Sequence, residues 1–193
     1  MAGRLDGKVA VITGGVSGIG LGTVEMIIAE GARVVAAALT AAPGRMLEQR
    51  FRDKLRYIRC DVTSEGDIAG AVGLAKSEFG GLDVLFNNAG ISDMMRDIAS
   101  IEPETWSWIF DVLVRGPALG MKHATPLMLE RGGGSIINTA SIAGMQAGWG
   151  PIAYSSAKAA VIHMSRVAAA QLSPQRIRVN AICPGLIATS IFG

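Results

Sequence analysis

Cysteine is scarce in this chain. Only Cys60 and Cys183 occur among 193 residues, without a C-x-x-C pair or a cluster of histidine and cysteine. This scarcity excludes the disulfide scaffold of small secreted proteins and argues against a metal site. Both cysteines follow apolar, strand-like segments. We therefore expect two buried free thiols rather than a disulfide or a redox pair.

Charge of one sign and long apolar runs are also lacking. The net charge is +2 and the 18 Lys and Arg residues are scattered, so the basic patch of a nucleic-acid-binding or membrane-surface protein is absent. The apolar stretches are short and interrupted by glycine, and the N-terminus has neither the basic nor the apolar region of a signal peptide. We expect a cytoplasmic protein with no nucleic-acid, membrane or metal partner.

The periodicity of the chain predicts its fold class. Half of the residues are hydrophobic, and no linker or repeat divides residues 1–193, which predicts a single domain. Continuously apolar segments, typical of buried parallel strands, alternate with segments of helical periodicity. This predicts an α/β fold, a Rossmann-type doubly wound parallel sheet with helices on both faces. The predicted strands are 8–13, 33–39, 56–60, 83–86, 135–139 and 177–182, and the predicted helices are 19–30, 45–54, 64–79, 102–130 and 152–172.

A glycine-rich loop joins the first predicted strand to the first predicted helix. Residues 13–20 read TGGVSGIG. Glycine lets the backbone approach a pyrophosphate closely, and a helix N-terminus offers unpaired N–H groups and a partial positive charge. The other interpretation is an ordinary strand-to-helix turn, but the position of the loop favours dinucleotide binding. The predicted contacts are Gly14, Ser17, Gly18, Ile19 and Gly20.

The residues expected near the adenosine leave the choice of cofactor open. An acidic residue after the second strand favours NAD, and a basic residue favours NADP, but residues 38–40 are Ala-Leu-Thr. The absence of Arg or Lys at residues 16–17 favours NAD over NADP. After the third strand, Asp61 is placed to accept a hydrogen bond from the adenine amino group, with Val62 beside it. Alternatively, Asp61 caps a turn or helix.

Tyr154 and Lys158 form the candidate catalytic pair. They are four residues apart at the start of a predicted helix and therefore share one face. A nearby ammonium stabilises a phenolate, so we expect Lys158 to lower the pKa of Tyr154 and make it an acid or base near neutral pH. Ser141 ends the preceding strand, where its hydroxyl can polarise a carbonyl oxygen. A Tyr-x-x-x-Lys pair alone is common on protein surfaces. Its position after a nucleotide loop and next to a strand-end serine favours a catalytic role here.

Together, these segments resemble the short-chain dehydrogenase/reductase family, and the resemblance extends over essentially the whole chain. It implies that Tyr154 is the acid/base, that Lys158 contacts the nicotinamide ribose and tunes the tyrosine, and that Ser141 orients the substrate oxygen. It also implies that Asn87 and its neighbours support the sheet and line the cofactor site. The resemblance further implies that the long helices at 103–130 and 152–172 form the interface of a homodimer or homotetramer. The further implied cofactor contacts are Asn88, Ala89, Gly90, Pro184, Gly185, Ile187 and Thr189.

Two departures from the family pattern stand out. Leu113 occupies the place of an asparagine whose backbone carbonyl holds a water of the proton relay, so we expect a modified relay. The chain also stops shortly after Thr189. Relative to the family we therefore expect the usual C-terminal helix and edge strand to be missing, which leaves the sixth strand as an edge.

The apolar residues expected in the cleft indicate the chemical class of the substrate. They are large and come with no arginine fork for a carboxylate or phosphate; they are Met94, Met95, Met145, Trp149, Ile187 and Ile191. We expect an oxidoreductase that uses NAD or NADP on a hydrophobic, cyclic secondary alcohol or ketone. The alternatives are a cofactor-binding regulator or scaffold without turnover, and an isomerase or dehydratase that uses the same tyrosine. His123, His163, Trp106 and Trp108 are expected to have packing or structural roles.

Overall fold

A six-stranded parallel sheet forms the centre of the computed structural model, which describes residues 3–93 and 98–188. The strand order is β3-β2-β1-β4-β5-β6, so the order reverses between β1 and β4. This confirms the predicted Rossmann-type fold. The strands are β1 (Val9–Thr13), β2 (Arg33–Ala38), β3 (Leu55–Arg59), β4 (Val84–Asn87), β5 (Gly134–Thr139) and β6 (Ile177–Ile182).

Helices cover both faces of the sheet. They are α1 (Gly18–Ala29), α2 (Ala41–Phe51), α3 (Glu65–Phe79), α4 (Pro103–Phe110), α5 (Gly116–Glu130) and α6 (Ile152–Leu172). Side chains of α1 and α2 pack on one face, around Ile12 and Phe86. Those of α3, α5 and α6 pack on the other face, around Val11 and Ile136. Within the described parts of the chain, no helix is both long and apolar enough to cross a membrane.

Most helix ends lie close to their predicted positions, with one clear exception. Helix α2 begins at Ala41, four residues before the predicted start at residue 45. Pro43 lies in its first turn, where the missing N–H has no helical partner to lose. Helix α3 begins after Ser64, whose hydroxyl accepts a hydrogen bond from the Asp67 N–H, and it ends at Gly80 in the left-handed conformation.

The predicted helix at 102–130 is divided in two. A π-helical turn, Asp111–Arg115, separates α4 from α5. A proline inside a helical segment removes a hydrogen bond, so Pro117 and Pro126 both favour a kink or break in the predicted helix. The irregularity lies just before Pro117, which is in the first turn of α5, whereas α5 continues through Pro126 to Glu130.

The two cysteines differ in burial. Cys60 is buried and Cys183 is only partly buried, so the expectation of two buried thiols is right for the first and wrong for the second. Burial raises the pKa of the Cys60 thiol to about 12. This thiol is therefore protonated and unreactive near neutral pH.

Asp83 joins three segments at the amino-terminal edge of the sheet. One carboxylate oxygen accepts hydrogen bonds from the Val9 N–H at 3.0 Å and from Arg131 Nη2 at 2.9 Å. The other accepts one from Lys8 Nζ at 3.3 Å. Burial alone raises the pKa of this carboxyl, but these hydrogen bonds and charges outweigh burial and hold its pKa below the usual value.

We expect Asp83→Asn to lower the free energy of unfolding by about 2 kcal/mol, because it weakens hydrogen bonds to a charged acceptor. Since the folded pKa is depressed, the stabilisation is present above the unfolded pKa of about 3.9 and is lost as pH falls through the folded value. Urea unfolding at a series of pH values measures both effects. Asp53→Asn, at an exposed position, is the control. Equal acid sensitivity in the Asp83 variant and the wild type would contradict this account.

Candidate active site

A cleft lies at the carboxyl ends of the strands, beside the point where the strand order reverses. This is where doubly wound sheets bind their ligands. Most of the predicted site residues line it, together with others from the loops after β1, β4, β5 and β6. The lining includes Gly14, Ser17, Gly18, Ile19, Asn88, Ala89, Gly90, Ser92, Thr139, Ser141, Ile142, Trp149, Pro151, Tyr154, Lys158, Pro184, Gly185, Leu186 and Ile187.

The glycine-rich loop has the geometry of an anion cradle. Gly14 has φ +64°, and a Cβ added there would lie 2.9 Å from the Cα of Ala89. The hydrogen bond from the Leu21 N–H to the Ser17 carbonyl is the first of α1, so the amides of residues 18–20 have no helical acceptor. No acidic side chain lies in this first turn. Gly18 and Ile19, which line the cleft, can therefore present unpaired N–H groups to a phosphate.

Thr13 and Asn88 hold the loops after β1 and β4 together. The Thr13 hydroxyl accepts hydrogen bonds from the N–H groups of Asn88 at 2.9 Å and Ala89 at 3.0 Å. The Asn88 side-chain amide donates to the Thr13 carbonyl at 3.2 Å. Gly20 packs beneath this pair, because a Cβ there would come within 2.7 Å of the Asn88 amide nitrogen. Gly20 thus serves packing and does not line the cleft.

Ser141, Tyr154 and Lys158 meet at the other side of the cleft. Lys158 is 3% exposed, and its ammonium donates a 2.7 Å hydrogen bond to the Thr139 carbonyl. The same nitrogen lies 5.5 Å from the centroid of the Tyr154 ring. The Ser141 hydroxyl accepts a hydrogen bond from the Ala143 N–H at 3.2 Å, which orients it, and it also hydrogen bonds to Tyr154.

Burial controls the protonation of this group. It raises the pKa of Tyr154 above its ordinary value, an effect that the hydrogen bond with Ser141 only partly offsets. Burial also lowers the pKa of Lys158 to about 8. The expectation that Lys158 lowers the pKa of Tyr154 is therefore wrong for the protein without ligands. The ammonium is directed to the Thr139 carbonyl, and desolvation of the phenol dominates.

Asp61 and Val62 do not line this cleft. One Asp61 carboxylate oxygen accepts hydrogen bonds from the Thr63 N–H at 2.9 Å and the Thr63 hydroxyl at 2.7 Å. This is the turn-capping arrangement weighed as the alternative for Asp61. Met145 is exposed and also lies outside the lining, as do both histidines. Thr189, Met94, Met95 and Ile191 lie outside the described residues.

Comparison with known proteins identifies the family. The sequence model described as short chain dehydrogenase matches residues 8–193. The chain is 41% identical to sex determination protein tasselseed-2 of Zea mays over 98% of its length, which spans 58% of that protein. It is 38% identical to zerumbone synthase of Zingiber zerumbet, with 97% and 72% of the two chains covered. It is 41% identical to a 2,5-dichloro-2,5-cyclohexadiene-1,4-diol dehydrogenase of Sphingobium indicum, with 96% and 74% covered. The chain belongs to the short-chain dehydrogenase family.

This short-chain dehydrogenase has its π-helical turn where the sequence departs from the family pattern. Leu113 lies in that turn, is 1% exposed and packs in an apolar cluster with Ala153 and Ala157, against which Tyr154 also packs. The N–H of Gly116 bonds to the Asp111 carbonyl, and Pro117 has no N–H. In an α-turn the carbonyl of Val112 accepts a hydrogen bond from Gly116, and in a π-turn it accepts one from residue 117. Here it receives neither of these hydrogen bonds.

Sequence reasoning missed three polar residues of this dehydrogenase site. Thr13 holds the loop after β4, Thr139 supplies the carbonyl for Lys158, and Ser92 lines the cleft. Thr13 and Thr139 end strands, and Ser92 lies in the loop after β4. A polar residue at such a position was the available sequence signal for a site residue. Their individual roles depend on contacts between segments distant in sequence, and no local pattern encodes those contacts.

We expect Ser141→Ala to raise the pKa of Tyr154 further, because it removes the hydrogen bond that opposes burial. Tyr57 and Tyr154 are the two tyrosines of the chain. In a Tyr57→Phe background, the phenolate absorbance therefore reports Tyr154 alone. A pKa that stays the same or falls in the Ser141 variant would show that this hydrogen bond does not stabilise the phenolate.

Proposed function

We propose that this chain is an oxidoreductase that transfers a hydride between a nicotinamide dinucleotide and a hydrophobic, cyclic secondary alcohol or ketone. The observation that carries the proposal is the convergence in one cleft of the anion cradle and the group formed by Ser141, Tyr154 and Lys158. A phosphate site alone suits many functions. Here a tyrosine, a serine and a buried lysine lie beside the phosphate site. Together these side chains can transfer a proton to or from a carbonyl or hydroxyl oxygen.

The described residues fit a dinucleotide. A side chain at Gly14 would fill the space beside Ala89, so the open cradle depends on glycine there. The free amides at the start of α1 suit a pyrophosphate, and the polar edge at Asn88 and Thr139 suits a ribose. When bound, the nicotinamide supplies or accepts the hydride. The lack of an acidic residue at residues 38–40 leaves both NAD and NADP open, and the lack of a basic residue at 16–17 favours NAD.

The geometry of the three side chains supports a role for each of them. In ketone reduction, Tyr154 donates its phenolic proton to the substrate oxygen while the Ser141 hydroxyl hydrogen bonds to the same oxygen. The raised pKa keeps Tyr154 protonated throughout the neutral range, which is the form that reduction requires. Alcohol oxidation requires the phenolate, so its rate is expected to rise with pH into the alkaline range.

The outer part of the cleft supports an apolar substrate. Its lining includes the apolar side chains of Ile142, Trp149, Pro151, Leu186 and Ile187. Trp149 is 53% exposed and Leu186 is 76% exposed, so this rim offers apolar surface that a ligand could cover. Lys158 is the one ionisable group besides Tyr154 in the described lining, and it is directed to Thr139. A relative named for a cyclohexadienediol accords with a ring-shaped, hydroxylated substrate.

We expect Tyr154→Phe to lower kcat/KM by about 10²- to 10⁴-fold, because the phenolic proton is lost while the ring remains. Cofactor affinity should stay near the wild-type value. Nicotinamide absorbance across a panel of cyclic alcohols and ketones, with NAD and NADP in parallel, measures turnover, and calorimetry measures cofactor binding. Tight cofactor binding by the wild type without turnover of any substrate would favour a binding protein instead. Turnover retained in the variant would refute the role of Tyr154.

We expect Trp149→Ala to raise KM for bulky cyclic substrates about tenfold, which corresponds to a loss of about 1.4 kcal/mol of apolar contact. The change in KM for a small acyclic ketone should be much smaller. Trp108→Ala is the matched control, because Trp108 is 48% exposed but does not line the cleft. Equal changes for large and small substrates would show that Trp149 does not contact the ring.

A further inference from the structure

A chain of buried hydrogen bonds runs from α5 to α6 along one face of the sheet, over β4 and β5. The Asn87 amide donates to the Pro117 carbonyl at 3.2 Å and to Asn138 Oδ1 at 2.8 Å. The Asn138 amide donates to the Ser165 hydroxyl at 2.9 Å. Ser165 in turn donates to the Val161 carbonyl at 2.7 Å. The three linking side chains are 3%, 0% and 3% exposed, in the order Asn87, Asn138 and Ser165.

The chemistry of the two ends fixes the direction of every link. The carbonyls of Pro117 and Val161 can only accept hydrogen bonds, so Asn87 and Ser165 must be the donors to them. The Ser165 hydroxyl has one hydrogen and gives it to Val161, so it must accept from the Asn138 amide. Asn138 then has only its oxygen to offer to Asn87. A buried polar group without its partner is costly, which makes this one arrangement strongly preferred.

The chain ends on the face of α6 that carries the candidate catalytic pair. Ser165 follows Lys158 by seven residues, two helical turns, and so lies on the same face. Asn138 and Thr139 are neighbours on β5. Strand and helix are thus joined twice, through Asn138 to Ser165 and through the Thr139 carbonyl to Lys158. Two contacts separated along a helix fix both its rotation and its position along the strand, which a single contact cannot do.

We propose that Asn138 and Ser165 are positioning residues that hold α6 in register on β5 and thereby place Tyr154 and Lys158 opposite Ser141. This inference rests on the proposed oxidoreductase function only for its kinetic consequence. The placement itself is a property of the folded chain without ligands. Loss of the contact lets α6 shift relative to the strand that leads to Ser141, and the hydrogen bond between Ser141 and Tyr154 weakens.

The test compares Ser165→Ala with Thr125→Ala. Thr125 is the matched control, because its hydroxyl also donates to the carbonyl four residues earlier, that of Met121 at 2.7 Å, but α5 does not carry the pair. Ser165→Thr keeps the hydroxyl and should restore wild-type behaviour. Ser165→Cys gives a milder perturbation should Ser165→Ala not fold. Thermal unfolding of each variant measures the purely structural cost.

Two readouts separate positioning from stability. In the Tyr57→Phe background, phenolate absorbance should show the pKa of Tyr154 rising in Ser165→Ala toward its value in Ser141→Ala. In the protein that retains Tyr57, Ser165→Ala should lower kcat about tenfold with little change in KM, as expected for misplaced reacting groups. Thr125→Ala should leave the pKa of Tyr154 and the kcat at wild-type values, even where it lowers the melting temperature.

The outcomes distinguish this inference from the proposed function. A wild type without turnover would overturn the function, while the titration of Tyr154 would still decide the placement. A pKa of Tyr154 unchanged in Ser165→Ala, with stability lowered as in Thr125→Ala, would reduce Ser165 to a packing residue and overturn the inference. A pKa of Tyr154 that is shifted in Ser165→Ala and returns to the wild-type value in Ser165→Thr would support the inference.

Discussion

The hydrogen bond from Lys158 to the Thr139 carbonyl joins the helix that carries the candidate catalytic pair to the strand that leads to Ser141. Lys158 is 3% exposed, and an ammonium is costly to bury without a strong acceptor. A backbone carbonyl at the end of a parallel strand is a fixed acceptor, because the sheet holds it in place. The position of Tyr154 one turn earlier on α6 follows from this anchor.

The same burial sets the order in which the two groups lose their protons. The pKa of Lys158 falls to about 8 and that of Tyr154 rises, so in the protein without ligands the lysine deprotonates first. An ammonium therefore coexists with a neutral phenol below about pH 8. This state suits proton donation to a ketone. Formation of the phenolate requires a pH above the raised pKa of Tyr154.

The fold and the location of the site followed from the sequence because both rest on local patterns. Continuous apolar runs predicted the parallel strands, and the residues after those strands predicted most of the cleft. The direction of the Tyr154 pKa shift did not follow, because desolvation depends on packing among segments distant in sequence. The capping contact of Asp61 with Thr63 was one of two local alternatives that the sequence left open. Asn138 and Ser165 are 27 residues apart and share no motif, so only the folded chain reveals their contact.

The irregular part of the long helix is connected to α6 by two kinds of contact. Leu113, in the π-helical turn, packs in the apolar cluster with Ala153 and Ala157. The Pro117 carbonyl, one residue beyond Gly116, accepts the first hydrogen bond of the buried polar chain that reaches Ser165 on α6. Gly120 makes that approach possible, because a Cβ there would lie 2.4 Å from Asn87 Oδ1. At the position where the family pattern has an asparagine, the leucine thus contributes apolar packing against α6, and the polar link between α5 and α6 is made by other residues.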